Sequence, residues 1–459
     1  MSRIKAAPID SHADRLPPLY DTAAGRPTSL EKSYSPPLGG LTFRANFNWT
    51  LTGNVVNAAC QWGMISALAW LGTPRALGQF VLGLSIAAPV ISFTMLQLRS
   101  VQVTDVRGEF SFGDYFGTRI LWTLVAAAAI VVAALWLAED TTTFWVVMLV
   151  GLMKCVDSLS DIVRGLFQTR ERMDLTAVSL MMKGALSLVA LAVTMWLTRS
   201  IVPASAAMAI AWSASFVVND LRCAQRLRAQ SIGMIAPVSE LRPLFRKVAI
   251  VRLTSISVSL GVVMALISLQ TNIPRYFLQI YAGEEAVGCF GAIVYPMMAG
   301  MIVTTALGQS AATRLARSFV DDLPAFRRLL GRLSAISAAL GFVLVAGTYV
   351  LGRPLLRMMY GPSFADYHAE FVVVAIACGI QLVTSCWGYG ITAARFFRVQ
   401  VMITLGSCIA TAAAALLLVP RYGVMGGAQA VLATSLVMAL GFALAMSWAV
   451  RSRRVATQA

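Results

Sequence analysis

The feature that most constrains this chain is a series of apolar segments, each about 20 residues long, between residues 46 and 450. A helix of about 20 residues crosses the roughly 30 Å hydrocarbon core of a bilayer. Backbone polar groups in lipid need internal partners, so each span should be helical. The twelve predicted spans are 46–70, 76–97, 117–137, 142–163, 176–197, 201–221, 248–270, 286–310, 333–352, 370–393, 398–419 and 424–450. We therefore predict an all-α polytopic membrane protein.

Composition narrows the function classes further. Only 13% of residues are charged and 58% are hydrophobic, whereas soluble domains carry about 25% charged residues. A net charge of +16 can indicate nucleic-acid binding, but here the basic residues lie in short loops, without an RNA-binding aromatic signature or zinc-finger spacing. The chain has no CxxC and only two histidines, which lie far apart in sequence. It also has no P-loop, GxSxG or dinucleotide fingerprint. We expect no catalytic residues, metal, cofactor or nucleic-acid partner.

The distribution of Lys and Arg predicts the topology. If the N-terminus is inside, 29 of the 37 basic residues fall on the cytoplasmic side and six on the opposite side, while Lys154 and Lys183 lie within spans. This asymmetry places both termini in the cytoplasm. Residues 1–44 are polar, rich in Pro and Ser, and lack the apolar core of a signal peptide. We expect them to form a disordered cytoplasmic tail.

The spans divide into two sets of six. A basic linker, residues 222–247, separates the predicted halves 45–221 and 248–450, and a basic tail follows at 451–459. The pentads ALGQF (76–80) and AVGCF (286–290) open the second and eighth spans, and each span has a proline farther along. Six spans per half give both halves the same orientation. A pseudo-twofold axis along the membrane normal follows, and transporters commonly bind substrate between such halves.

One span carries charges. The stretch MKCVDSLSDIVR places Lys154 near the midplane, and Asp157, Asp161 and Arg164 follow at spacings of 3, 4 and 3. On a helix these four residues share an arc of about 80°. Each buried Lys or Asp costs roughly 2.5–3.5 kcal/mol near a helix centre, so the stripe should face the protein interior. It is either a self-paired structural ladder or a site that handles substrate or a coupling ion.

Other polar positions are candidates for the cavity. Lys183, in the fifth span, could reach Asp157 or Asp161, or meet a phosphate as a point charge. Arg252 either snorkels to the membrane surface or contacts an anionic head group. In the first span, Asn54, Asn57 and Gln61 lie with Thr50 on one face of the helix. This polar face could bind sugar hydroxyls or form hydrogen bonds between helices. The complete set of cavity candidates is Lys154, Asp157, Asp161, Lys183, Arg252, Asn54, Asn57 and Gln61.

Two stretches resemble a known family. TNIPRYFLQIYAGEEAVGCFGA (271–292) resembles the seventh-to-eighth span region of bacterial Wzx-like flippases for lipid-linked oligosaccharides, which belong to the MATE-related (MOP) superfamily. TMLQLRSVQVTDVRGEFSFGDYFGTRIL (94–121) resembles their loop between spans two and three. The resemblance extends over residues 45–450 and identifies Thr271, Asn272, Pro274 and Arg275 as a family motif or gate. Because Pro274 reads as a helix end, Arg275 is expected in an external turn.

The resemblance implies a function. Such a protein moves an undecaprenyl-pyrophosphate-linked oligosaccharide from the cytoplasmic to the periplasmic leaflet of the bacterial inner membrane by alternating access. Its partners would be the diphosphate-linked glycan, membrane lipids and polysaccharide polymerase or export components. Protons, Na⁺ or the membrane potential would supply the driving force.

Two alternatives stay open at this stage. A MATE-type efflux antiporter has the same fold, but a cation exporter would favour acidic residues in its cavity. A membrane glycan polymerase or ligase would usually present a large external loop, and the longest one predicted here, about 353–369, has fewer than 20 residues.

Overall fold

A computed structural model describes residues 41–105, 108–230, 241–297, 321–394 and 396–458, together with scattered positions between 301 and 319. All regular secondary structure in these ranges is helical, which confirms the predicted all-α class. The α-helices are Phe43–Leu71 (α1), Pro74–Thr94 (α2), Leu98–Thr104 (α3), Phe112–Leu137 (α4), Thr141–Thr169 (α5), Met173–Thr198 (α6), Ile201–Ser215 (α7), Arg222–Gln230 (α8), Lys247–Val294 (α9), Leu323–Tyr360 (α10), His368–Ala393 (α11), Phe397–Tyr422 (α12) and Val424–Gln458 (α13). A π-helical stretch, Phe216–Leu221, joins α7 to α8. Residues 1–40 of the predicted tail 1–44 and the linker centre 231–240 lie outside the described residues.

Nine of the helical segments in the described ranges are long and apolar enough to cross a membrane. The chain is therefore a multi-pass membrane protein. Helices α1 and α5 are as long as these segments, but α1 is rich in amides and α5 contains the charged stripe. Helix α9 contains the seventh predicted span and the start of the eighth. The count of twelve spans, the sidedness and the two-repeat layout stay predictions.

The helix boundary predicted at Pro274 is wrong. Helix α9 continues through Pro274 and breaks at Gly283, whose φ of 79° and ψ of 179° are not helical. Neighbouring groups can compensate for the hydrogen bond that a membrane-helix proline removes, whereas a positive φ favours glycine. Arg275 therefore lies inside a helix rather than in an external turn.

Two of the 29 basic residues counted on the cytoplasmic side, Arg119 and Arg164, lie inside the helical bundle. A capping box starts α4 earlier than predicted: Ser111 Oγ accepts from the Asp114 N–H at 3.3 Å, and the Asp114 carboxylate accepts from the Ser111 N–H at 3.0 Å. Arg119 then falls within α4 and is 0% exposed. Arg164 lies within α5, which continues to Thr169, and is 5% exposed. Neither residue can serve as a loop charge.

Two groups of helices meet chiefly through α2 and α9. Helices α1, α2 and α4–α7 pack among themselves, as do α9–α13, and the contact of α2 with α9 is the most extensive between the groups. We call the end of the bundle that contains the turns 72–73, 138–140 and 199–200 and the break at Gly283 the outer end, after the predicted topology.

The two sequence pentads touch each other at this outer end. A β-carbon on Gly288 would lie 2.7 Å from the Gly78 nitrogen, and one on Gly78 would lie 1.6 Å from the Glu284 carbonyl oxygen. The absence of side chains at both positions lets the backbones of α2 and α9 come together.

Candidate functional site

A cavity of about 790 Å³ lies between the two groups of helices. It extends from Asn272 and Arg275, near the outer end, to Thr392 and Gln400, at the opposite end of α11 and α12. Its polar lining comes mostly from the second group of helices and consists largely of amides and hydroxyls. These side chains are Gln61, Ser268, Gln270, Thr271, Asn272, Tyr295, Gln381, Thr384, Ser385, Tyr389, Thr392, Gln400 and Thr434. Groups of this kind can exchange hydrogen bonds with sugar hydroxyls.

The charge of the cavity is positive. Lys154 from α5 and Arg275 from α9 both line it, and the described lining contains no Asp or Glu. Neither cation has a carboxylate within 4.0 Å among the described residues. Because unpaired charge in a low-dielectric site is costly, this arrangement favours an anionic occupant.

The stripe on α5 does face the protein interior, and its pairing agrees in part with the i,i+3 pairs Lys154–Asp157 and Asp161–Arg164 that its spacing allows. Asp161 and Arg164 do pair, at 3.9 Å, but Arg164 lies closer to Asp157, at 3.1 Å. Lys154 forms no ion pair with Asp157 among the described contacts; its ammonium lies 5.5 Å from the centre of the Trp212 ring. The stripe is therefore partly a self-paired ladder, with Lys154 left facing the cavity.

Lys183 crosses from α6 to the same cluster. Its Nζ donates to Asp157 Oδ1 at 2.6 Å, as the sequence suggested, and lies 4.6 Å from the Trp212 ring centre. Lys183 is only 6% exposed and does not line the cavity. The contact with Trp212 is one that sequence reasoning missed.

Two arginines complete the cluster and were also missed. Arg119, fully buried on α4, pairs with Asp161 at 3.2 Å, and Arg99 on α3 reaches the same carboxylate at 3.3 Å. Together with Lys154, Lys183 and Arg164, they give five cations around two aspartates. The capping sequence Ser111-Phe-Gly-Asp114 is the signal that could have started this helix before residue 117 and so placed Arg119 a full turn inside it.

The amide stripe of α1 does not enter the cavity as a unit. Gln61 lines the cavity and accepts a hydrogen bond from the Tyr295 hydroxyl at 3.1 Å. Asn57 instead points toward α6, with its Oδ1 3.5 Å from where a β-carbon on Gly184 would lie, and Asn54 is exposed. Only Gln61 among these three residues is placed to contact a substrate.

The family-motif residues cluster around Arg275. Its Nη1 donates to Asn272 Oδ1 at 2.6 Å, while its Nε is buried without a hydrogen-bond partner among the described residues. Thr271 and Asn272 also line the cavity, and Pro274 is buried. A guanidinium with an unused N–H can bind a phosphate or carboxylate through two parallel hydrogen bonds.

Arg252 lies outside the cavity lining. It pairs with Glu109 at 2.8 Å, and the two side chains are 59% and 41% exposed. Arg252 also lies 5.5 Å from the ring centre of Phe110. The snorkelling interpretation fits this placement better than substrate contact does.

We expect Arg252→Ala to change transport by less than about fivefold, because exposed ion pairs contribute roughly 0.2–1 kcal/mol. The measurement is transport by the variant at matched protein levels. A tenfold loss of transport would instead put Arg252 on the substrate path.

A polar network closes the outer end, and we call it the outer lock: Arg75, Gln79, Asp140, Thr143 and Glu284. Arg75 pairs with Asp140 at 2.6 Å and with Glu284 at 2.9 Å, and Gln79 donates to Glu284 at 3.0 Å. Thr143 donates to the same carboxylate. The Thr143 backbone N–H, followed by Arg75, holds the pKa of Asp140 below its usual value. The outer lock joins α2 and α5 to α9.

No cluster of three or more His, Cys, Asp or Glu suited to a metal ion occurs in the part of the chain that the structure describes.

Comparisons with known proteins agree with this architecture. No family model matches the chain. The capsular polysaccharide biosynthesis protein CapF of Staphylococcus aureus is 22% identical over 399 residues, which cover 86% of this chain and 97% of CapF.

Solved structures identify the fold. The lipid II flippase MurJ, in an inward closed conformation, superposes with a TM-score of 0.68 at 10% identity over 87% of each chain. An inward-facing multidrug resistance MATE transporter of the MOP superfamily superposes with a TM-score of 0.63 at 11% identity, over 92% of this chain and 97% of that one. A MOP transporter from Pyrococcus furiosus superposes with a TM-score of 0.56 at 12% identity, over 90% of this chain and 95% of that one. Its binding pocket is described as having reverse polarity. The resemblance drawn from sequence is thus confirmed: the chain has the fold of the MOP-superfamily flippases and transporters.

Proposed function

We propose that this protein moves a diphosphate-linked oligosaccharide lipid from the cytoplasmic to the outer leaflet of the bacterial inner membrane. The observation that carries the proposal is the charge of the cavity, which presents Lys154 and Arg275 and no carboxylate in its described lining. A diphosphate head group supplies the negative charge that these cations lack.

The rest of the lining suits the glycan. The amides and hydroxyls contributed mainly by α9 and α11 offer both donors and acceptors. The lipid tail need not enter the cavity, because it can remain in the bilayer while the polar head is sheltered between the helix groups. The match to CapF over 97% of that protein's length supports a role in polysaccharide biosynthesis.

Efflux of cationic compounds is the second candidate, because the fold is also that of MATE transporters. The charge balance disfavours it. Asp157 and Asp161 are each held by at least two cations and neither lines the main cavity. The Pyrococcus furiosus transporter offers a precedent, since reverse pocket polarity is taken there to suggest a different function.

The driving force for transport remains part of the proposal. An inside-negative membrane potential favours outward movement of an anion by about 2.3 kcal/mol per elementary charge for each 100 mV. An anionic head group would gain from this potential directly. Proton or Na⁺ coupling stays a further prediction.

For Arg275→Gln, we expect transport to fall about threefold to tenfold, because a charge-assisted hydrogen bond contributes more than a neutral one. The effect should appear mainly as a raised KM for the lipid-linked glycan. Arg353→Gln, an exposed arginine outside the cavity lining, is the matched control and should behave like wild type. Unchanged transport by Arg275→Gln would show that this charge is not used.

Deletion in the native host tests the proposed function. The deleted strain should lose surface polysaccharide and accumulate lipid-linked repeat units on the cytoplasmic face. Normal polysaccharide together with increased sensitivity to cationic compounds would favour the efflux function instead.

A further inference from the structure

Two lysines approach the same indole ring. The ammonium groups of Lys154 and Lys183 lie 5.5 Å and 4.6 Å from the centre of the Trp212 ring. Because both distances are measured to the same ring centre, the two ammonium groups can be at most about 10 Å apart. A group with negative charge at two positions, such as a diphosphate, can span a separation of this size.

Only one of the two lysines is available in this structure. Lys154 lines the cavity, whereas Lys183 donates to Asp157 Oδ1 at 2.6 Å. The same oxygen accepts from Arg164 at 3.1 Å. Asp157 is thus positioned as a phosphate oxygen would be, between cations.

We propose, building on the proposed function, that Lys154, Lys183 and Trp212 form the diphosphate subsite and that Asp157 is a positioning residue for Lys183. In the empty protein Asp157 holds Lys183. When the diphosphate binds beside Lys154, Lys183 leaves Asp157 for a phosphate oxygen, and it returns to Asp157 when the substrate departs.

The geometry makes this exchange inexpensive in energy. Asp157 keeps Arg164 as a partner after Lys183 leaves, so neither state contains an unpaired buried carboxylate. Lysine carries its charge on a flexible four-carbon stem, and the indole face attracts an ammonium in both positions. Because the carboxylate competes with the substrate, Asp157 also lowers affinity for the head group and so favours its release.

Inorganic pyrophosphate is the probe for this subsite, and calorimetry on the purified full-length protein is the measurement. Asp157→Asn should bind pyrophosphate about tenfold more tightly than wild type, which is a modest change for the loss of one competing charge. Lys183→Met should bind more weakly than wild type. The double variant should match Lys183→Met, since Asp157 acts through Lys183.

Asp161→Asn is the matched control. It removes the same charge from the same helix, but Asp161 pairs with Arg99, Arg119 and, at 3.9 Å, Arg164, and not with Lys183. Its pyrophosphate affinity should stay within about twofold of wild type, a difference of less than 0.5 kcal/mol. Equal tightening by Asp161→Asn would contradict the proposal, as would unchanged affinity in Asp157→Asn. If Asp157→Asn does not fold, unchanged binding by Lys183→Met is sufficient to overturn it.

These outcomes separate the subsite from the proposed function. Glycan transport by wild type, combined with pyrophosphate binding that is indifferent to Asp157 and Lys183, would overturn the exchange and leave the function standing. Pyrophosphate binding with the predicted changes, but without glycan transport, would have the opposite meaning.

Discussion

Gly78→Ala is expected to reduce transport at least tenfold by holding the outer ends of the two helix groups apart. A β-carbon at this position would lie 1.6 Å from the Glu284 carbonyl oxygen, and real β-carbons essentially never approach closer than 3.0 Å. The oxygen belongs to backbone and cannot rotate away, so α2 and α9 must separate. Overpacking costs typically 1–3 kcal/mol, and 1.4 kcal/mol already changes a two-state equilibrium tenfold.

The altered equilibrium can be observed directly. A cysteine introduced at Val81, which lines the cavity, should react faster with an external, membrane-impermeant maleimide in the Gly78→Ala protein. The assay requires a background in which the seven native cysteines are replaced. Gly347→Ala is the matched control, because a β-carbon there meets no atom within 4 Å. Wild-type transport and labelling in Gly78→Ala would show that outer closure does not depend on this contact.

Lys154→Ala is expected to lower glycan transport by roughly 10- to 100-fold, because a hydrogen bond to a charged group contributes about 1.5–3 kcal/mol. The protein should still fold and reach the membrane, since Lys154 has no carboxylate within 4.0 Å among the described residues and lines open space. Polysaccharide export at matched expression is the measurement.

Lys247→Ala is the control for the loss of a lysine charge. Lys247 is exposed at the start of α9, outside the cavity lining, and its replacement should leave export unchanged. Normal export in Lys154→Ala would remove Lys154 from substrate handling, and the charge argument for the cavity would then depend on Arg275 alone.

The sequence predicted those features that follow from composition and local spacing. Apolar segments of bilayer length must be helical, because backbone polar groups in lipid need internal partners. The free-energy cost of placing Lys154, Asp157 and Asp161 in lipid predicts that their stripe faces the protein interior. The contact between Lys183 and Asp157 was also within reach of sequence reasoning. The closest partner of each cation was not, because Arg164 approaches Asp157, seven residues earlier in the helix, more closely than Asp161, three residues earlier.

The main errors in the sequence predictions concerned where helices end and which neighbours their faces contact. Pro274 suggested a break that occurs instead at Gly283, because only glycine readily takes the positive φ required. The amides of α1 share one face, but small residues set its rotation: a β-carbon on Gly53 would lie 2.7 Å from Ala177 of α6. This close packing directs Asn57 toward α6 and leaves only Gln61 in the cavity.

The account depends most on one statement, that the cavity selects an anionic, diphosphate-linked head group. The purified protein in liposomes should therefore move a fluorescent pyrophosphate-linked oligosaccharide lipid between leaflets and should not transport a cationic dye. Transport of the glycan lipid should also decline in Lys154→Ala. Transport of the cationic dye without movement of the glycan lipid would contradict the account.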